Sequence, residues 1–463
     1  MKYRNLLILI ILSGVILISI HFFRGKSNPY LPGYKTYKHL YNAQRFNNFS
    51  GLENPLFFGE KDLNYDLVDF FISLFLEKQL IMKFTPFILG VLSSLIYFLV
   101  LKKLNCTEEL SFIATVIFSI SPVFIYSFSV FNEYFIIAFL TLLSIYLLLT
   151  DKYFFSLLIF CMIIIIDLSS LIIPLLILFT YIYNFKPKKS INMIFLFMII
   201  SFTLVNVFEN NGINIVKFLN FYRNHVTDLG ADFGFGIFSI ALSLIGLLIS
   251  WRKKTRFSLY YFVIAILGIY SVYYPGFLIF LEFFLCFFAA IAFIKLKNLK
   301  WQLSILKEYA LLLIICGLFF SSVSYINRAV SFPPHINEIQ SLKWLQNNSD
   351  QGSIIFSHYT NGNLIQAVSK RPVITDIEYY ESSRDRIRIK DSESIYYSRD
   401  LIVTKSLLNK YNISYIWINP VMKNKVWETS DQGLLFLMKN SRIFTNIYLE
   451  ENIEIWKYHQ DRS

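Results

Sequence analysis

Apolar runs long enough to cross a bilayer recur through the first 325 positions, beginning with "LLILIILSGVILISIHFF" directly after "MKYRN". A hydrocarbon core about 30 Å thick takes about 20 mostly apolar helical residues to cross. Inside it every backbone polar group must be satisfied within its own segment, so such runs are helices. With 55% hydrophobic residues and a mean hydropathy of +0.52, the chain reads as an integral membrane protein. A net charge of +12 would point to nucleic acid in a soluble protein. Here much of it sits in short loops between apolar runs, where it sets topology, and no nucleic-acid partner is expected. The first run has no small-residue cleavage site after it and reads as an uncleaved signal anchor. Cys106, Cys161, Cys286 and Cys316 lie in or beside the apolar part without metal-ligand spacing,.

Candidate spans are residues 5–23, 84–101, 110–130, 133–150, 153–166, 168–184, 191–208, 234–251, 257–274, 276–295 and 308–325. Residues 153–183 are interrupted only by Asp167 and two serines; as one straight helix they would reach about 46 Å, too long without steep tilt. Both flanks, "DK" and "NFKPKK", are basic, so two short passes meeting near Asp167 are expected. Asp167 is then either a functional acid at membrane depth or the cap of an outward turn at "DLSS". The loops "LKKLN", "KPKKS", "WRKKTR" and "KLKNLKWQLSILK" alternate as cytoplasmic under the positive-inside rule,. About eleven spans follow, placing the N-terminus in the cytoplasm of a prokaryotic cell. The loop 24–83 and everything past residue 326 fall outside the plasma membrane. That loop is itself basic, and its length weakens the rule for it.

Past residue 326 the pattern changes. "PPHINEIQSLKWLQNN" has helical spacing, with Ile336, Ile339, Leu342 and Leu345 on one side,. "GSIIFS", "RPVITDI" and "SYIWINP" read as short buried strands alternating with helices near residues 363–369 and 400–411,. This alternation predicts a small parallel α/β domain over residues 327–463, following a transmembrane domain over residues 1–326. The closing "RIFTNIYLEENIEIWKYH" reads as two antiparallel strands turning at "EEN".

Four stretches carry a family resemblance. They are "LPGYKTYKHLYNAQRF" through "NPLFFGEKDLNYDLVDFFISLF", with its Y-x-H-L and P-L-x-F-G phrasing; "SISPVFIYSFSVFNEYFIIAFLTLLSIYLLL"; "VTDLGADFGFGIFSIALSLIGLLISW"; and "IQSLKWLQNNSDQGSIIFSHYTNGNLIQAVSKRPVITD". With the layout of one anchor, a large outer loop, a polytopic body and an outer α/β domain, they resemble the GT-C glycosyltransferases. That group includes oligosaccharyltransferase catalytic subunits and protein mannosyltransferases. The resemblance implies transfer of a sugar from a polyprenyl-phosphate carrier to an acceptor at the outer membrane face, with inversion by direct displacement. It leaves open whether the acceptor is a protein, a lipid or a glycan. It also implies an acid in the first outer loop as general base and, by family analogy alone, a divalent metal; no other cofactor is indicated.

Two positions depart from the family pattern. Lys35 stands where relatives commonly carry an aspartate after "GY", and Gly276 where an arginine often precedes the tenth span. The nearest replacement acids are Glu60, Asp62, Asp66 and Asp69. A helix starting after Glu60 would put Asp62, Asp66 and Asp69 on one face, to position a base or bind a cation. The same pattern fits an interfacial helix with its acids in water and Leu63, Leu67 and Phe70 against lipid.

Lys35, Lys38 and Arg45, with His39 among them, either cradle a lipid phosphate or anchor the chain among headgroups. His39 has the intrinsic pKa of a general base, without an orienting partner identifiable in sequence. Glu282, inside "FLIFLEFFL", calls for a cavity or a cation from another helix. In "KFLNFYRNHVTDLGAD", Arg223 and His225 are candidate phosphate contacts or members of an ordinary polar loop. "SHYTNGNL" places a turn before a helix, where an anion or acceptor could meet the helix N-terminus; a plain turn explains it as well.

The expected function is therefore a polyprenyl-phosphate-dependent glycosyltransferase, with Asp62 or Asp66 as base. A catalytically inactive relative that binds a lipid-linked glycan or a partner is the first alternative, favoured by Lys35 and Gly276. A transporter or flippase is the second, lacking paired intramembrane charges and broken-helix repeats.

Overall fold

The computed structural model describes residues 2–46, 57–58, 67–185, 225–252, 254–382, 387–429 and 431–460. The chain falls into two units, Met1–Ser27 with Met82–Ser331, and Asn28–Ile81 with Phe332–Ser463.

The first unit is helical. Among the described residues four helices are long and apolar enough to cross a membrane: Arg4–Ser27, Lys78–Lys103, Pro275–Asn298 and Ser304–Val330. Shorter apolar helices cover Glu133–Leu148, Tyr153–Ile166, Leu168–Asn184, Ile237–Trp251 and Phe257–Tyr273. This is a multi-pass membrane protein. The expected span 110–130 is broken into Glu108–Ile120 and Pro122–Ser127. Ser121 takes an extended conformation before Pro122 and its hydroxyl accepts from the Phe124 amide, as the residue before a proline and a good N-cap should. The run 153–183 is also broken. The first helix ends at Ile166, and Asp167 accepts from the Ser169 amide and from the Ser169 and Ser170 hydroxyls. The expected span 191–208 lies outside the described residues.

The Leu278–Asn298 helix is the packing centre of this unit. Phe288, Ala289, Ala290 and Ala292 are fully buried, and small side chains allow the close approach that replaces a hydrophobic driving force in lipid. Gly246 of the neighbouring Ile237–Trp251 helix shows how close: a Cβ there would lie 1.9 Å from the Phe288 carbonyl oxygen. From the other side the Tyr97 hydroxyl donates to the Phe283 carbonyl at 2.6 Å.

The second unit holds a four-stranded sheet, β1 Ile354–Phe356, β2 Ile413–Ile418, β3 Phe444–Glu450 and β4 Ile453–Tyr458, in the order β1-β2-β4-β3. Only β1 and β2 are parallel; β2–β4 and β3–β4 are antiparallel, so the sheet is mixed and not parallel throughout. "RPVITDI" is not a strand. Val373 alone forms a bridge to Ile355 on one side and to Phe57 on the other. The β3–β4 turn is carried by Glu451 and Asn452, both at positive φ, the conformation a tight hairpin requires. The Ile336–Asn348 helix buries Ile339, Leu342 and Leu345, as its spacing predicts. The Tyr34–Phe46 helix packs on both the Gly362–Ser369 and Leu67–Ser73 helices, so the loop after the first span and the C-terminal segment share one unit.

Gly246→Ala should destabilise the protein by about 1–3 kcal/mol through overpacking, seen as a lower thermal midpoint in detergent. Gly14→Ala, where nothing lies within 4 Å of the added carbon, should leave the midpoint unchanged.

Candidate functional site

The Tyr34–Phe46 helix begins at a turn that only a left-handed residue can make. Gly33 has φ 86° and its amide donates to the Pro333 carbonyl at 2.7 Å, while the Asn28 amide group donates to Pro334. His39 and Asn42, three residues apart, share the buried face of this helix,. Both point at one acid. His39 Nδ1 lies 2.7 Å from Asp69 Oδ1, and Asn42 Nδ2 donates to Asp69 Oδ2 at 2.8 Å. His39 and Asp69 have no exposed side-chain surface. A buried carboxylate is tolerable only when paired and hydrogen-bonded, and here each oxygen has a partner.

Asp69 is therefore not in water, as an interfacial helix with solvated acids would have it, whereas Leu67 and Phe70 are exposed as that helix expects. Asp69 points inward from the Leu67–Ser73 helix while Leu67, Phe70 and Phe71 are exposed. Glu60, Asp62 and Asp66 lie outside the described residues, as does Arg223. The cations on the Tyr34–Phe46 helix have different surroundings. Lys35 is exposed, Lys38 pairs with Glu378 at 2.6 Å, and Arg45 donates to the Tyr41 hydroxyl at 3.2 Å. Lys370, on the other side of the helix pair, donates to Gln44, and burial holds its ammonium down at about 8.

A second polar network lies at the end of β2. The Tyr34 hydroxyl donates to Glu338 at 3.0 Å, Asn419 donates to the same carboxylate, and Asn361 donates to Asn419 Oδ1 at 3.3 Å. Burial, with Glu338 adding to it, pushes the Tyr34 phenol well above its ordinary range. In "SHYTNGNL", His358 Nδ1 accepts from the Thr360 hydroxyl at 2.7 Å and from the Thr360 amide at 3.4 Å. Burial, and then Lys425, lower this imidazole to about 4. The N-terminus of the following helix is already filled: a Cβ on Gly362 would lie 2.5 Å from the Thr375 carbonyl and 2.8 Å from Asp376.

In the membrane unit, residues 225–237 form a closed loop. The Phe235 amide donates to the His225 carbonyl at 2.8 Å and the Thr227 amide to the Phe235 carbonyl at 2.9 Å. His225 is buried. Gly230 turns the chain at φ 98°. Asp228 accepts from the Ile237 amide at 2.7 Å, at the start of a helix, and from the Ser321 hydroxyl at 2.6 Å; an acid there is favoured by the helix dipole. The Ser304–Val330 helix completes the cluster. Tyr325 donates to the Asp232 carbonyl at 2.8 Å, and Arg328 Nη1 donates to the Ala231 carbonyl at 3.2 Å. The Arg328 guanidinium sits 5.3 Å from the centre of the Tyr325 ring, and its Nε and Nη2 are buried without a hydrogen-bond partner.

Gly276 faces the Tyr134 ring, whose atoms lie 2.2–2.4 Å from the position of an added Cβ, so that ring occupies the space a side chain would need. Glu282 is fully buried and accepts from the Cys286 thiol at 3.1 Å, one helical turn on. No cation pairs with it among the described residues. Among the described residues no three His, Cys, Asp or Glu side chains converge as a metal site would need.

Sequence reasoning missed Asn42 and Arg328, and did not foresee that Asp69 is buried against His39. Asp69 had one readable signal, a single acid inside the apolar "LVDFFIS" without a cation within four residues. Arg328 had another, a lone cation just past the last apolar run.

No protein-family model matches the chain, and no curated protein matches its sequence. Solved structures do. Archaeal oligosaccharyltransferase AglB from Archaeoglobus fulgidus, in complex with an inhibitory peptide and a dolichol-phosphate, is 12% identical. The match covers 100% of this chain and 75% of that one, with a TM-score of 0.63. The Archaeoglobus fulgidus oligosaccharyltransferase in its apo form matches over 89% and 69% at TM-score 0.62 and 12% identity. Its complex with zinc and sulfate matches over 98% and 73% at TM-score 0.61 and 12% identity. At that identity the likeness is one of fold: the chain has the GT-C fold of these oligosaccharyltransferases.

Asp69→Ala, which strips His39 and Asn42 of their shared acceptor, should cost about 3–5 kcal/mol, read as a lower thermal midpoint; Asp69→Asn should cost less. A separate expectation concerns pH. His358 has a folded-state pKa of about 4 against an ordinary 6.5, so the unfolded chain binds the extra proton first. Stability should be full above pH 6.5 and fall as pH drops toward 4. His358→Asn should flatten that slope in thermal melts taken across the window.

Proposed function

We propose that the chain is a membrane glycosyltransferase that moves a sugar from a polyprenyl-phosphate-linked donor to an acceptor at the outer membrane face. The observation that carries this reading is the whole-length likeness in fold to AglB, a protein solved with a dolichol-phosphate and an inhibitory peptide. In this reading a first-loop carboxylate, Asp62 or Asp66 with Glu60 nearby in sequence, removes the acceptor's proton. The acceptor then attacks the sugar's anomeric carbon as its bond to the phosphate oxygen breaks, and the lipid phosphate leaves with the electron pair.

Charge develops on the leaving phosphate, and preorganised donors aimed at developing charge are worth most in a water-poor site. Arg328 suits that task in the membrane unit, because two of its guanidinium nitrogens have no protein partner. It supplies a cation that Gly276 cannot; Arg223 and His225, and separately Lys35, Lys38 and Arg45, are further phosphate contacts proposed on the sequence alone. His39, fully buried against Asp69, acts by holding the first-loop helices and not by touching the acceptor. Glu282 belongs to helix packing in this reading.

A second reading is favoured by Lys35 at the family's acidic position: a relative that binds the lipid-linked donor without turnover. Both readings meet one experiment on the full chain in nanodiscs with a fluorescent polyprenyl-phosphate sugar. Catalysis predicts that Asp62→Asn or Asp66→Asn lowers transfer about 10²–10⁴-fold while donor binding survives, and that Arg328→Gln weakens donor binding. Wild-type binding lost in Arg328→Gln, without transfer in any variant, establishes the second reading. Neither transfer nor donor binding overturns both.

A further inference from the structure

The membrane unit contains a cavity of about 370 Å³ remote from the Arg328 cluster. It is bounded by the C-terminal turns of the Lys78–Lys103 and Glu133–Leu148 helices, by Ile172–Phe185, and by parts of the Lys254–Tyr273 and Leu278–Asn298 helices. The chain leaves this unit for the other one at Ser27, Ile81 and Ser331. The cavity sits at the opposite end of the Lys78–Lys103 helix, at Val100–Cys106. Its size falls at the lower end of small-ligand sites, about 300–1,000 Å³.

The walls are aliphatic and aromatic, with Ile145, Ile177 and Phe283 among them, and the polar residues Asn105 and Asn184 stand where helices end at the mouth. The sequence around that mouth is basic: Lys102 and Lys103 precede Asn105, and Lys152 follows the Glu133–Leu148 helix. The nearby acids have their own partners. Asp151 accepts from the Tyr153 hydroxyl at 2.6 Å, and Glu109 pairs with Lys297 at 2.6 Å. An apolar chamber between apolar helices behind a cationic rim has the complementarity of a lipid: methylenes leave water for the chamber, and the surface cations attract an anionic headgroup.

We propose that this cavity seats one hydrocarbon chain of an anionic phospholipid, with the headgroup at the lysine rim. The site shares no lining residue with the Arg328 cluster and does not depend on the proposed activity. Its occupant adds contacts between helices that already touch beside the chamber, as the Tyr261 ring does against Phe288. One wall group discriminates the occupant's chemistry: the Thr141 hydroxyl lines the cavity and is buried without a partner. A hydrocarbon chain gains nothing from it, whereas a polar small molecule would.

The test uses the full chain, purified from membranes in mild detergent and examined by native mass spectrometry with lipid extraction, then by competition in nanodiscs of phosphatidylglycerol and phosphatidylcholine. The expected result is one retained phospholipid per chain and at least fivefold preference for phosphatidylglycerol. Ile145→Trp, which fills the chamber, should abolish retention; Thr141→Val should keep it; Lys102→Gln with Lys103→Gln should cut the preference at least threefold. Retention unchanged in Ile145→Trp, loss in Thr141→Val, equal retention of both lipids, or a co-purifying polyprenyl lipid in place of phospholipid would each overturn the proposal. Should Ile145→Trp fail to fold, the other two variants decide it alone.

Discussion

A carboxylate with no exposed surface determines how the second unit is built. Asp69 cannot be left unpaired in the interior, because removing an isolated charge from water costs far more than any local packing gain. His39 and Asn42 meet it from another helix, one to each oxygen. That requirement draws together two helices on either side of residues 47–66. Other ties fix the same pair to the C-terminal segment: Gly33 to Pro333, Lys38 to Glu378, Lys370 to Gln44, and the Phe58 amide to the Val373 carbonyl at 2.9 Å. The stretch after the first span is therefore not a stalk. It is an integral layer of a mixed α/β unit, and its histidine is structural currency between helices before it is anything chemical.

Much of this architecture was legible because hydrophobic period and caps are local. Apolar runs located the helices, "DLSS" announced the break at Asp167, and the spacing of Ile339, Leu342 and Leu345 gave the Ile336–Asn348 helix its buried face. Other features escaped for physical reasons. The break at Ser121 was written as serine before proline, yet the apolar run continues through it and masks the cap. Val373 makes a single bridge on each side, too short to have a period. The burial of Asp69 escaped because its partners, His39 and Asn42, lie about thirty positions away in sequence. Arg328 has no pattern at all; only three-dimensional packing shows that two of its nitrogens go unmet.

The two departures from the family pattern have different standing. Lys35 is exposed, so nothing in its surroundings explains a cation there. Gly276 has a reason: the Tyr134 ring lies against it, and a side chain at that position would have to displace the ring. An arginine lost from one helix end can be balanced by one elsewhere in the same unit, and Arg328 is where the geometry leaves cationic donors unsatisfied. A guanidinium held by one carbonyl and one aromatic face is a poor resting state in a protein interior. That imbalance leaves two guanidinium nitrogens able to meet an anion.

Within the membrane unit, polarity and emptiness are segregated along the helices. At one end Asp228, Ser321, Tyr325 and Arg328 knit a loop onto two helices through charge-assisted and hydroxyl bonds. At the other, a ring of apolar side chains leaves a chamber. The Leu278–Asn298 helix runs between them, gripped by Gly246 on one side and by Tyr97 on the other. Close backbone contact of that kind makes it the rigid member of the unit, because tightly packed interiors switch between discrete arrangements and do not deform smoothly. Filling or emptying the chamber should change how firmly the surrounding helices are held, and the residues of the Arg328 cluster are not among those that line it.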